Sequence, residues 1–174
     1  IDALRKLYSR FELRMLLRQL DGEEAEAEPQ QTAAKGEYET VLDWKAFDRW
    51  HKAIKKAELT ALDTETTSLD YMEAEIVGIS LSVEPGKAAY IPVAHDYPGA
   101  PEQLPRDEVL DKLKPWLEDG KQKKVGHHLK YDAHIFARHG VKLAGMAFDS
   151  MLESYVLNSV ATRHDMDSTA RHYL

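Results

Sequence analysis

Asp63 and Glu65 stand two residues apart in the run Leu62-Asp63-Thr64-Glu65-Thr66, at the end of a strand predicted over 58–63. Strand side chains alternate between faces, so positions i and i+2 project from the same one. Two carboxylates on one face repel each other unless a proton or a cation lies between them. Hard divalent cations such as Mg²⁺ and Mn²⁺ take oxygen ligands of this kind. The same spacing also suits ordinary surface charge at a strand end, and Asp-x-Glu alone does not separate the two readings. Asp132 adds a third carboxylate. A helix predicted from Leu129 to His139 puts Leu129, Asp132, Ala133 and Phe136 on one stripe, so this acid points where apolar residues point. Buried carboxylates are rare unless paired or bound to metal; the alternative is a boundary position that still reaches water.

The other polar residues suggest less chemistry. Asp149 reads as a helix N-cap, and Asp165 and Asp167 as turn and cap residues. The eight histidines show no His-x-x-x-His or His-Glu-x-x-His spacing, and adjacent His127 and His128 point opposite ways on an extended segment. There is no cysteine, which excludes disulfides and thiolate metal sites. Glycine-rich phosphate loops and a Gly-x-Ser-x-Gly elbow are absent too.

The elements that must position these residues follow from the apolar periodicity. Residues 3–20 predict an amphipathic helix with nothing of its own to pack on. Residues 21–37, rich in Glu, Ala, Gln and Pro, bury too little to offset ordering and predict an acidic flexible linker. The folded domain is expected over 38–174, starting near Tyr38. Within it, Asp43 caps a helix reaching Ala57, with Phe47, Trp50 and Ile54 on one face. Strands follow at 58–63, 75–83 and 88–93, the last two joined by a turn at Pro85-Gly86. A helix over 105–118 carries Pro115, which should kink or shorten it. A strand at 123–126, the helix from Leu129 ended by Gly140, a helix capped by Asp149 and a last helix starting at Asp167 complete the order. Hairpin strands followed by α/β alternation predict an α/β fold, a mixed sheet flanked by helices.

The net charge of −7 is unevenly spread: +3 over residues 1–20, −5 over 21–37 and −5 over the rest. An acidic domain is poorly suited to coating duplex DNA, which needs many Lys and Arg contacts, but can still hold a short single-stranded end through cations. No apolar run approaches the roughly 18 residues of a membrane span, and residues 1–20 lack the uninterrupted apolar stretch of a signal peptide. A cytoplasmic protein with no membrane partner is expected.

The run Leu62 to Asp70 (Leu-Asp-Thr-Glu-Thr-Thr-Ser-Leu-Asp) resembles the first exonuclease motif of the A-family bacterial DNA polymerases. Val125-Gly126-His127-His128-Leu129-Lys130-Tyr131-Asp132 resembles the second. The segments Ala89 to Tyr97, Phe148 to Tyr155 and Arg163 to Ser168 are similar to the same family, in the same order, while residues 1–20 look like the tail of its preceding 5′-nuclease region. The resemblance implies a ribonuclease H-like fold, incomplete at its C-terminus, and a 3′–5′ proofreading exonuclease using two divalent metal ions, Mg²⁺ or Mn²⁺. It makes Asp63 and Glu65 ligands of the first metal, Asp63 a bridge to the second, and Asp132 a ligand of the second, directly or through water. Tyr131 would orient the attacking water or the scissile phosphate. Thr64, Thr66, Leu69, His127 and His128 would bind substrate, Leu69 as an apolar wedge against the terminal base. The implied partners are the single-stranded 3′ end of DNA and a polymerase domain in the same full-length chain, in a bacterial, nucleoid-associated protein serving replication and repair.

Two departures stand out. The family's third motif, a Tyr followed four residues later by the remaining metal-ligand Asp, would lie beyond Leu174, so little exonuclease activity is expected of this chain alone. His128 stands where the family usually has Asn. Two other readings fit the carboxylates: a catalytically inactive module that supports a polymerase domain, and an RNA-trimming nuclease resembling ribonuclease D.

Overall fold

A computed structural model describes residues 1–13, 16, 17, 20 and 36–174. The chain divides into two compact units, 1–34 and 35–174. In the first, helix α1 spans Asp2–Arg10 and buries none of its residues. The continuous helix expected over 3–20 is interrupted: Phe11 caps α1, and Glu12 takes a left-handed φ of 52°. The expected linker, 21–37, falls outside the described residues except for its last two.

The second unit is built on a six-stranded mixed sheet. Its elements are β1 (Glu37–Thr40), α2 (Trp44–Lys56), β2 (Leu59–Thr66), β3 (Ile76–Glu84), β4 (Lys87–Pro92), α3 (Arg106–Leu117), β5 (Lys123–Gly126), α4 (Leu129–Arg138), β6 (Met146–Asp149), α5 (Ser150–Leu157) and α6 (Met166–Tyr173). The strand order is β1-β4-β3-β2-β5-β6. β2 and β4 flank β3 antiparallel, and β1, β5 and β6 add in parallel. The expected Pro85-Gly86 turn closes the β3–β4 hairpin, with Gly86 at φ 78° and Glu84 paired to Lys87. Asp43 caps α2 by accepting from the Ala46 amide at 2.8 Å.

Several elements differ from the sequence reading. β1 begins at Glu37 and was not foreseen, nor was β6. β2 runs on to Thr66, so Asp63 and Glu65 lie within the strand rather than at its end. The cap of α6 is Asp165, which accepts from the Ser168 amide at 2.8 Å, rather than Asp167. Helix α3 continues through Pro115 to Leu117, with Val109, Leu110, Leu113, Trp116 and Leu117 buried as the periodicity required.

Burial alternates cleanly along β2: Thr60, Leu62 and Thr64 are buried, while Ala61 and Glu65 are exposed and Asp63 is half-buried. Leu62, Ile79, Leu81, Ala89 and Ile91 of the sheet share one core cluster with Phe47 and Ile54 of α2, Val109 and Trp116 of α3, and Leu129 and Phe136 of α4. The sheet therefore has a face packed under helices and an opposite, more open face. Asp63 is paired with Ser80, Ser80 with Tyr90 and Tyr90 with Thr40, which defines a polar row across the open face.

Candidate active site

β2 delivers Asp63 and Glu65 to the open face. Glu65 is exposed and Asp63 half-buried. Burial raises the Asp63 carboxyl above the usual range, and the charge of Glu65 pushes the same way, against the Thr64 amide and His127. This is the repulsion expected of two carboxylates without a counterion, and a divalent cation would relieve it. The donor set fits hard cations: all oxygen, with one ligand open to solvent.

Thr64, between them, points to the packed face. Its hydroxyl donates to Asp132 Oδ1 at 2.6 Å, and its backbone amide approaches the same oxygen at 3.1 Å. Asp132 is 2% exposed, on the buried side of α4 as its spacing predicted. Burial pushes its carboxyl up to about 6; the Thr64 hydroxyl opposes this and the charge of Asp63 adds to it. Among the described residues, no three His, Asp or Glu side chains come together as a metal cluster. Asp132 is thus near enough to Asp63 to feel its charge, yet is hydrogen-bonded to Thr64. Of the two roles implied for it, the water-mediated one suits this arrangement.

Beyond Glu65 the strand passes into a loop that carries the other candidates. The Tyr131 hydroxyl donates to the Ser68 carbonyl at 2.6 Å, and the Thr66 hydroxyl lies 2.6 Å from the same phenol oxygen. Tyr131, one residue before Asp132, thereby ties α4 to the end of the Asp63–Glu65 strand. Leu69 is 93% exposed and so takes no part in the core.

The two histidines differ. His127 is half-buried, with Nδ1 3.0 Å from Ser150 Oγ and Nε2 2.9 Å from the His164 carbonyl. Both ring nitrogens are therefore engaged within the protein. His128 is exposed and holds the N-cap of α4 in the left-handed region, at φ 73°. Asn and His are enriched there among non-glycine residues, so a histidine in place of the family's Asn is sterically natural. The Asp149 carboxylate accepts from the amides of His128 and Leu129 at the start of α4, and from those of Met151 and Leu152 at the start of α5. Sequence reasoning found its role on α5; the role on α4 joins residues 20 apart and leaves no local signal.

Two further groups beside the carboxylates escaped the sequence reading. The Tyr90 ring lies over Gly78, the register partner of Glu65, where even a Cβ on residue 78 would meet the phenol oxygen at 1.9 Å. Burial and the Glu65 charge push the Tyr90 hydroxyl up to about 12, and it lies 2.6 Å from His95 Nε2. Only glycine at 78 admits this contact, and an isolated glycine within a strand can signal such close approach.

A profile described as 3′–5′ exonuclease matches residues 38–174. The chain is 52% identical to DNA polymerase I of Pseudomonas aeruginosa over 99% of its own length and 20% of that protein's. It thus spans about a fifth of that relative. Two solved structures share the fold. One is the POL domain of Pol1 from M. smegmatis with DNA primer-template and dNTP, at TM-score 0.52 and 21% identity over 68% of this chain and 19% of that one. The other is ribonuclease D of Trypanosoma brucei with RNA U12, at TM-score 0.54 and 18% identity over 73% of this chain and 48% of that one. The fold is the ribonuclease H-like mixed sheet. No described helix is long and apolar enough to cross a membrane.

Proposed function

Because the chain belongs to the 3′–5′ exonuclease family, we propose that it is the larger part of the proofreading domain of a DNA polymerase I, removing 3′-terminal nucleotides from single-stranded DNA ends. The observation that carries this reading is the Asp63–Glu65 pair on the open sheet face, beside a strand-to-loop junction tied down by Tyr131. Asp63 and Glu65 would hold a divalent cation, with Asp63 shared with a second and Asp132 reaching that second one through water. Bound there, divalent cations would supply activation of the attacking water and neutralisation of charge on the leaving 3′ oxygen.

The residues of the chain then divide the remaining work. Thr64 holds Asp132 in place through its hydroxyl. Thr66 and the Tyr131 phenol would meet the terminal phosphate, and Tyr131 would orient water or phosphate by turning its one O–H away from the Ser68 carbonyl, to which it donates in the free protein. Exposed Leu69 presses on the terminal base. His128, exposed at the start of α4, faces the incoming strand, whereas His127 acts by fastening the end of β5 to Ser150. The third motif, with its additional carboxylate, would belong to a longer chain that also carries the polymerase domain, in a cytoplasmic bacterial protein active in replication and repair.

The test is a Mg²⁺-dependent assay on a 5′-labelled single strand with the full-length protein. Stepwise shortening from the 3′ end is expected, lowered about 10²-fold or more by Asp63→Ala. Faster shortening of RNA than of DNA would instead support the ribonuclease D-like reading. Absence of shortening would support a non-catalytic module, the reading to which His128 in place of the family's Asn and the acidic charge balance point. The 174-residue chain alone should show little activity; robust activity abolished by Asp63→Ala would mean that the carboxylates present suffice.

A further inference from the structure

The loop between β2 and β3 combines exposure of apolar side chains with unusually complete fastening of its backbone. Leu69 is 93% exposed, Met72 64% and Tyr71 41%. Such groups on a loose loop would collapse onto the surface, but this loop is pinned at every turn. At its base, Thr67 N donates to the Glu75 carbonyl at 3.0 Å, and Glu75 N to Thr67 Oγ1 at 3.1 Å. Inside it, Asp70 Oδ1 accepts from Met72 N at 2.9 Å, and the Asp70 carbonyl accepts from Ala74 N at 2.8 Å. From outside, Arg138 of α4 reaches across with three donors. Nε donates to the Ala74 carbonyl at 3.1 Å, Nη2 to Glu75 Oε1 at 3.1 Å, and Nη1 to the Met72 carbonyl. A guanidinium fork can satisfy three acceptors in one plane; an ammonium cannot.

On this fixed loop Tyr71 stacks against His134 of α4, with ring centroids 4.6 Å apart and planes 20° from parallel. His134 is itself exposed, and Lys130, also exposed, lies one helical turn before it on the same side of α4. A supported aromatic plate with a cation beside it is the combination that binds unpaired bases, one surface for the ring and one charge for the phosphate. His134 follows Tyr131 by about one helical turn, so the plate lies farther along α4 than the Tyr131–Thr66 junction.

We infer that Tyr71, backed by His134 and held by Arg138, is a stacking platform for a base of the single-stranded substrate other than the terminal one. The inference rests on the proposed nuclease reading for its ligand. Arg138 acts here as a positioning residue.

The experiment titrates the 174-residue chain into short single-stranded DNAs carrying 2-aminopurine at the first, second or third position from the 3′ end, at several salt concentrations. Quenching beyond the terminal position is expected. Tyr71→Ser should weaken binding between about 5-fold and about 100-fold and remove that quenching, with the salt slope unchanged because no phosphate contact is lost. Tyr71→Trp should restore it. Arg138→Met should speed exchange of the Met72 and Ala74 amides and reduce the quenching, whereas Arg138→Lys should rescue neither. Unchanged affinity and quenching in Tyr71→Ser, with the wild-type chain binding, would overturn the platform and leave the nuclease reading intact. Failure of the wild-type chain to bind any of the DNAs would also overturn the platform, whereas the nuclease reading falls only if the full-length protein does not shorten the strand.

Discussion

Asp63 and Thr64 are consecutive residues of one strand, and they face opposite worlds. On the open face, Asp63 has Glu65 for a neighbour and meets a like charge in partial contact with water. On the packed face, Thr64 supplies a hydroxyl to Asp132, a carboxylate enclosed among apolar side chains. The first arrangement is electrostatically unfinished and calls for a cation. The second is nearly finished, since a hydroxyl and an amide both reach one carboxylate oxygen. Strand alternation thus lets one short segment serve two carboxylate environments with different needs, one pair partly in water and one acid buried against a hydroxyl.

The sharpest way to break this contrast is Thr64→Val. The change keeps the β-branched shape that suits a strand but removes the hydroxyl 2.6 Å from Asp132. A buried charged group losing such a partner costs about 1–3 kcal/mol, measurable by urea unfolding at neutral pH. An unchanged midpoint would mean that Asp132 reaches water after all.

A smaller effect follows from proton linkage. The Asp132 carboxyl sits near about 6 when folded, above its ordinary value near 3.9. The folded state therefore binds this proton more tightly than the unfolded chain. The contribution of Asp132 to stability is greatest below about pH 4, falls as pH rises toward about 6, and is level above that. D132N has no such proton to bind. The stability difference between wild type and D132N should drift in favour of wild type by about 1–2 kcal/mol as pH falls from 7 to 4. A flat difference would place Asp132 among ordinary, solvated acids.

The smallest change tests the start of the helix that aims Asp132. His128→Asn at φ 73° should shift thermal stability by no more than a few tenths of a kcal/mol, because both residues tolerate the left-handed region. A loss above about 1 kcal/mol would show that the imidazole ring, 6.0 Å from that of Tyr131, contributes packing that the backbone conformation does not explain.

Much of this was readable in the sequence, and the exceptions share a cause. The β3–β4 hairpin, the Asp43 cap, the inward face of α3 and the burial of Asp132 all depend on neighbours within a few residues, where turn chemistry and periodicity operate. β1 was hidden because Glu37-Tyr38-Glu39-Thr40 is an edge strand with almost no burial, so it lacks an apolar alternation to detect. β6 is four residues long and three of them are exposed. Asp165 and Asp167 are both plausible caps by type; only the hydrogen bond to Ser168 decides between them. Contacts between Thr64 and Asp132, or Arg138 and the β2–β3 loop, bridge more than 60 residues, and no local pattern encodes them. The candidate site carboxylates were legible as residue types; their division between two faces was not, because it depended on β2 continuing to Thr66.

One carboxylate also fixes the dynamic behaviour of this end of the molecule. Because Asp149 accepts from the first amides of α4 and of α5 together, neither helix start can fray without disturbing the acceptor that serves the other. The two first turns are therefore expected to open together, with matched amide-exchange protection at Leu129 and Leu152. The turn that presents Tyr131 and Asp132 thus draws on α5 for its resistance to local unfolding, and its rigidity is a property of two helices rather than one.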